Sequence, residues 1–489
     1  PPDPPIPPPT PGGCPLNTTL ANKIPFICFD LAGGANMVGS NVLVGGQGGY
    51  INSPLSTAGY SKMGIPVDMV PGGTEPAGFS VTGTSNGDYT DTTLGLPFHA
   101  DSAYLRGILD KVDLTLTAPK VNGAVIPARS DNDTGNNPHN PMYGIAKAGL
   151  PGDLPDGDIV TLIGSRNSES GGNSMSPAAL VDPEKRPTKV DRPSDVTGLV
   201  DTGDLTAVLS DPADVKAVME SVVRLSDKKV TNINATTVVK DLMRCGYISA
   251  ADIADRFVGK EVSPDDRNAI LPAVPIIVND NGGIFTEAEF DGDGEFRKTA
   301  SVMKMVIDGH AAAGTIQMGG FDYHTGDRAT GELRDLRAGR CIGACLEYAR
   351  RMNSPVMIYV FSDGSLASNG AIDGTVNGRG KGVWTGDNSS TAAGFFLVFN
   401  PNGIPTHFSD SSIVTGAQIG WFNQGGSVVT SSSPAANNVN LLVETVLLNY
   451  LALHGEQGNF TDIFGDGTTN NLGGAAMLDS LTAFGKITV

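Results

Sequence analysis

FDGDGEFRKTASVMKMVIDGHAAAGTIQMGGFDYHTGDRA, residues 290–329, is the stretch on which the reading of this chain turns. Residues 295–313 space their apolar side chains as an amphipathic helix does, and GTIQMGG (314–320) then reads as a buried strand. At that strand's end stand Asp322 and His324, two positions apart. In an extended chain this spacing turns both side chains to one face. A carboxylate and an imidazole that converge there can begin a zinc, iron or calcium site. The competing reading is a hydrogen-bonded Asp–His pair in a turn, which the spacing alone favours.

The same helix–strand alternation extends outward on both sides. Downstream, 330–352 reads as a long helix, PVMIYVF (355–361) and AGFFLVF (393–399) as buried strands, and 437–454 as a helix. Upstream, PFICFDLA (25–32) reads as a strand that runs into a Gly/Asn-rich loop at 33–50. Residues 97–112 carry Tyr104, Leu105, Ile108 and Leu109 on one helical side. Strand-like alternation follows at 114–126, a polar loop at 127–150, a short apolar run at 158–163, and helices within 211–257. Apolar strands alternating with amphipathic helices predict an α/β fold with a mostly parallel central sheet and helices on both faces. Ligands in such sheets sit beyond the carboxyl ends of the strands. With no second linker and no internal repeat, residues 17–489 are expected to form one domain, with a Ser/Gly/Asp/Pro-rich surface insertion or lid at about 164–210.

Composition narrows the function. Lys+Arg total 33 against 52 Asp+Glu, a formal net charge of -19, which repels nucleic acid and anionic lipid. No apolar window reaches membrane-spanning length. The chain opens on PPDPPIPPPTPGGCP, a stiff polyproline-type arm over residues 1–16. We read it as the start of an exported protein whose leader has been removed, so the expected location is extracellular or at the cell surface. The arm is expected to dock either on its own domain or on a neighbouring subunit, and the second arrangement gives rings or open filaments. Five cysteines are too few for a disulfide framework; Cys341 and Cys345, at i and i+4, read as small core residues, and one bridge within the set is allowed.

Polar groups recur at other strand ends: Ser362 and Asp363 after PVMIYVF, Asp387 and Asn388 before AGFFLVF, and Asn36 after the first strand. They describe either one shared cleft or ordinary turn chemistry. FDGDGEF (290–296), with Asp280 upstream and Asp291, Asp293 and Glu295 within it, offers oxygens to calcium but lacks the full EF-hand spacing; it reads rather as an acidic turn capping the next helix. No phosphate-binding loop of the Walker type is present, and GGQGG (45–49) is a glycine turn rather than a dinucleotide fingerprint.

Four stretches in order resemble a family of uncharacterised exported bacterial proteins of the alkaline-phosphatase superfamily, whose hallmark is a helix, a strand and GG-[FW]-D-x-H. They are the opening stretch with GGFDYH, FDLAGGANMVGSNVLVGG (29–46), PVMIYVFSDGSLASNG (355–370) and VWTGDNSSTAAGFFLVF (383–399). The resemblance implies a scaffold used for metal-dependent phosphate or sulfate ester hydrolysis, with divalent metal at the strand ends beside a Ser or Thr nucleophile. Carried over by position, Asp322, His324 and Asp387 would ligate metal, with Asp363 a nearby acid and Asn36 at the first-strand ligand position. The nucleophile would lie in the loop holding Ser130 and Thr134, among Arg129, Asn136, Asn137 and His139. Two positions depart from the pattern: Asn36 stands where an acid is expected and Asn388 where a histidine is. Asp30 lies close by but in mid-strand. A site so reduced would hold calcium or zinc weakly, or nothing. We therefore expect a secreted or surface structural protein that self-assembles through its arm on a phosphatase-like scaffold with a degenerate metal site. The alternative is a secreted metal-dependent phosphoesterase or sulfatase.

Overall fold

The computed structural model describes residues 23–130, 137–148, 162–199, 212–237, 239–241, 243–244, 262–267, 274–278, 282–408 and 417–487. The Pro-rich arm, Thr134, Asn136 and Asp280 lie outside them, as do Cys14 and Cys245.

Among the described residues eleven strands follow in chain order: β1 Phe26–Leu31, β2 Thr90–Asp91, β3 Phe98–His99, β4 Val121–Pro127, β5 Leu162–Gly164, β6 Thr188–Lys189, β7 Ala313–Met318, β8 Val356–Phe361, β9 Leu366–Asp373, β10 Lys381–Asp387 and β11 Ala393–Phe399. Seven of them form the central sheet, in the order β4-β11-β8-β1-β7-β5-β6. Its pairings are parallel except those of β11, which runs antiparallel to both β4 and β8. Strands β4 and β8 therefore run the same way as β1 and β7, and all their carboxyl ends open on one edge. Within the segment read as an insertion, β6 pairs with β5 at the sheet's margin.

The principal helices are α1 Ala103–Leu109, α2 Met142–Lys147, α3 Pro212–Thr231, α4 Gly294–Ile307, α5 Arg328–Arg351 and α6 Val439–His454. Alternate residues of β1 divide between two cores. Ile27, Phe29 and Leu31 pack with Val302 of α4 and Ile342 and Leu346 of α5. Phe26 and Cys28 pack with Met142 and Tyr143 of α2 and Leu447 and Leu451 of α6. A strand covered on both faces has no solvent side, which is why these strands appear in sequence as unbroken apolar runs.

Helix starts follow from local chemistry. Asp293 caps α4 by accepting from Glu295 N at 2.9 Å, and Asp327 caps α5 by accepting from Thr330 N at 2.8 Å. FDGDGEF is thus a capping turn, with Asp291 paired to Arg267 at 2.8 Å and Asp293 to Arg337 at 3.3 Å. Helix α5 lies directly on α1 through glycines. A Cβ at Gly339 would stand 2.3 Å from the Tyr104 carbonyl oxygen, and one at Gly107 2.2 Å from that of Leu336. Cys341 and Cys345 are buried free thiols of the same core, as is Cys28 on the other face. Among the described residues no helix is long and apolar enough to cross a membrane.

Candidate metal centre

The loops that leave β1, β7 and β8 fold onto one another. Gly34 N and Ala35 N donate to Ser362 Oγ at 3.0 and 2.8 Å, and that hydroxyl donates to Leu31 O at 2.6 Å. Gly33 N donates to Asp363 Oδ1 at 2.7 Å. Gly33 adopts φ +122, and a Cβ there would stand 2.6 Å from Asp322 N. Only glycine allows this approach, both for its dihedral and for its lack of a side chain. The strand-end polar groups do share one edge of the sheet.

Asp322 and His324 follow β7, and Asp387 ends β10, opposite Leu366 of β9. His324 Nδ1 lies 2.5 Å from Asp322 Oδ1 and 3.2 Å from Asp387 Oδ1. The three candidate ligand atoms all lie within 4.8 Å of one another. The side chains are 63 % (Asp322), 31 % (His324) and 37 % (Asp387) exposed, so solvent reaches the remaining directions around an ion. Burial pushes the Asp387 carboxyl up; the His324 charge opposes this and the Asp322 charge reinforces it. A cation between the two carboxylates would relieve that repulsion. Two carboxylates and one imidazole suit zinc, manganese or iron, whereas calcium takes six to eight oxygens. The donor set offers one divalent ion three ligands and leaves other positions open.

Asn36 is anchored in the loop that follows β1. Its side chain donates to Ser40 Oγ at 2.7 Å and its backbone N–H to the Tyr323 hydroxyl at 3.0 Å, all of it buried. The amide nitrogen is thus tied to Ser40. Asp363 is also held apart. Oδ1 takes the Gly33 N–H, the backbone carbonyl takes Ser130 Oγ at 3.0 Å and Asn137 Nδ2 at 2.7 Å, and Oδ2 is buried without a hydrogen-bond partner. Asn388 Oδ1 caps the following turn, accepting from Ser390 N at 2.9 Å and Ser390 Oγ at 2.6 Å.

Ser130 sits beside His139, with Oγ 2.8 Å from Nε2. Ser130 Oγ also lies 3.0 Å from the Asp363 carbonyl oxygen, so its single proton can serve either neighbour according to the histidine tautomer. His139 is stacked on Phe361, with ring centroids 5.8 Å apart, and burial pushes its pKa down to about 3, which keeps it neutral. Its Nδ1 is buried without a partner. Ser130 itself is only 2 % exposed. Arg129 donates its backbone N–H to Ala436 O at 2.9 Å and Nη2 to Ser389 Oγ at 3.4 Å. It lines a cavity of about 440 Å³ with Pro138 and Asn437 to Asn440, and none of the three triad residues is part of that lining.

Asp30, noted from the sequence as a mid-strand acid near the first-strand ligand position, has a structural part of its own. This wholly buried carboxylate accepts from Asn173 N (2.6 Å), Ser174 N (2.8 Å) and Ser174 Oγ (3.1 Å), and so ties the 165–176 loop across the sheet edge. Burial pushes it up to about 6, the Asp363 charge adds to that, and the donors from Ser174 and Asn173 oppose it. A lone acid inside an otherwise apolar run was the available signal. No protein family, curated protein or solved structure matches this chain.

Proposed function

We propose that this chain is an exported, self-associating structural protein on an alkaline-phosphatase-like scaffold, and that Asp322, His324 and Asp387 bind one divalent transition metal. The observation that carries this reading is the meeting of His324 with both carboxylates, one from its own loop and one from the β9–β10 hairpin. An ion there cross-links two segments far apart in sequence. Ser130, the candidate nucleophile, is buried, which argues for a structural rather than a catalytic role of the ion. Self-assembly rests on the sequence of the arm.

The second reading, a metal-dependent phosphoesterase or sulfatase, is favoured by the 2.8 Å Ser130–His139 contact at the same edge. A bound metal would there supply charge stabilisation to a transferring phosphoryl or sulfuryl group. Metal analysis with hydrolysis of p-nitrophenyl phosphate and sulfate separates the two. We expect about one zinc or manganese per chain, lost in His324→Ala, with turnover no greater than in Asp322→Ala. Saturation at a hundredfold over Kd should stabilise the fold by about 2.7 kcal/mol. Turnover that needs metal and disappears in Asp322→Ala would establish the hydrolase instead. Deletion of residues 1–16 should dissociate any oligomer in sizing experiments, and an unchanged oligomer would remove the arm from the assembly.

A further inference from the structure

Helix α5 presents Arg328, Glu332 and Asp335 at i, i+4 and i+7, a spacing that puts all three on one face. Each is almost wholly buried. Asp335 Oδ1 accepts from the Tyr323 hydroxyl at 2.7 Å, and that hydroxyl accepts the Asn36 N–H at 3.0 Å. Asp335 Oδ2 accepts from Asn41 Nδ2 at 2.9 Å. Tyr323 is the middle residue of D-Y-H, so its side chain points into the protein while Asp322 and His324 point out. Its ring packs on α5 so closely that a Cβ at Gly331 would lie 2.9 Å from it.

The other half of the face grips the β9–β10 hairpin. Arg328 stacks over the Trp384 ring, 4.6 Å from its centroid, and its Nη1 donates to Gly382 O at 3.4 Å. Glu332 Oε1 receives both Arg328 Nη2 at 2.6 Å and Lys381 Nζ at 2.9 Å, and Lys381 is 0 % exposed. Trp384 O accepts from Gly326 N at 2.7 Å, which joins the hairpin to the loop just after His324. Asp387 is three residues beyond Trp384.

We propose that this face of α5 is the positioning platform of the metal centre, with Tyr323 as the positioning residue for Asp322 and His324, and Trp384 with Lys381 as the corresponding anchors for Asp387. The proposal rests on the metal-binding reading of the triad. Burying this many charged groups contributes little net stability compared with an apolar replacement, whereas it fixes relative position. Removing groups that orient metal ligands typically weakens metal affinity by roughly 10–100-fold.

The test is zinc affinity of the full chain by titration calorimetry for wild type, Tyr323→Phe and His324→Ala, with the metal-free melting temperature of each. Tyr323→Phe keeps the packed ring and loses only the hydroxyl. It should bind zinc at least about tenfold more weakly than wild type. Its metal-free melting temperature should stay close to that of wild type, and the His324 ring resonances should move in the metal-free protein. Equal affinity in Tyr323→Phe and wild type would overturn the positioning role and leave the metal site standing. If wild type binds no zinc, the metal reading fails, and the platform fails with it. Should Tyr323→Phe not fold, Asp335→Asn replaces the carboxyl acceptor by an amide; a smaller loss of affinity supports the platform and unchanged affinity overturns it.

Discussion

At the scale of single residues, the chemistry of this site depends on where protons and lone pairs are already spent. Ser130 shows this best. Its hydroxyl bridges His139 and the Asp363 carbonyl, and its neighbours at the sheet edge are buried. Ser130→Ala should lower stability by about 1–3 kcal/mol, because it strands a buried hydrogen-bond partner and weakens the hold on Asp363. The melting curve reads that loss. Any p-nitrophenyl ester hydrolysis by the protein should be unchanged, and hydrolysis abolished by this substitution would restore Ser130 as a nucleophile. Asp322, His324 and Asp387 were legible from sequence because two residues of spacing in an extended segment, and acids at strand ends, have a direct geometric meaning. Asn36 was not. The hydrogen bond from its amide nitrogen to Ser40, four residues away, shows only when the loop is folded.

At the scale of elements, β1, β7, β8 and β11 were readable almost to the residue, since burial on both faces leaves an uninterrupted apolar run. Helices α4, α5 and α6 were readable by their spacing and caps. The β9–β10 hairpin was missed, and with it the reason Asp387 faces His324. Strand β9 is exposed over its second half, and register shifts at Gly382/Trp384 and Trp384/Gly386 break the alternation by which a strand is recognised. The α1–α5 contact gives the sharpest test at this scale. Gly339→Ala places a methyl 2.3 Å from a backbone oxygen that belongs to another helix. Overpacking of this kind costs about 1–3 kcal/mol, which denaturant titration should register. Gly292→Ala, where a Cβ meets nothing within 4 Å, is the matched control and should be neutral or slightly stabilising. Since α5 also carries the platform under Tyr323 and Trp384, the Gly339 variant should weaken zinc binding as well.

At the scale of the whole molecule, buried titratable groups set a pH profile. Burial pushes His99 and His454 down to about 4 and His139 to about 3, from 6.5 in the open chain. The unfolded chain takes up these protons first, so the three histidines cost stability as pH falls below about 6.5. Asp30 and Asp335 act the other way. Burial raises them from 3.8 to about 6 and about 7, so their contribution is present at low pH and lost as pH rises through those values. Asp101, held well below the usual carboxylate range by Lys381, Arg379 and Arg106 in spite of its burial, adds a further loss only in strong acid. Thermal melts should therefore peak near pH 6.5, with the steeper limb on the acid side; a maximum at pH 5 or below would contradict this assignment. The sheet's borders have a consequence of their own. Beyond β4, the chain itself supplies a continuation, Val125 N bonding to Ala417 O and Ile419 N to Val125 O at 2.9 and 2.8 Å, while the opposite margin is the two-residue β6 carrying Lys189. Among the described residues, neither margin of the central sheet offers an incoming strand a long row of vacant amides, which disfavours edge-to-edge pairing of copies through that sheet.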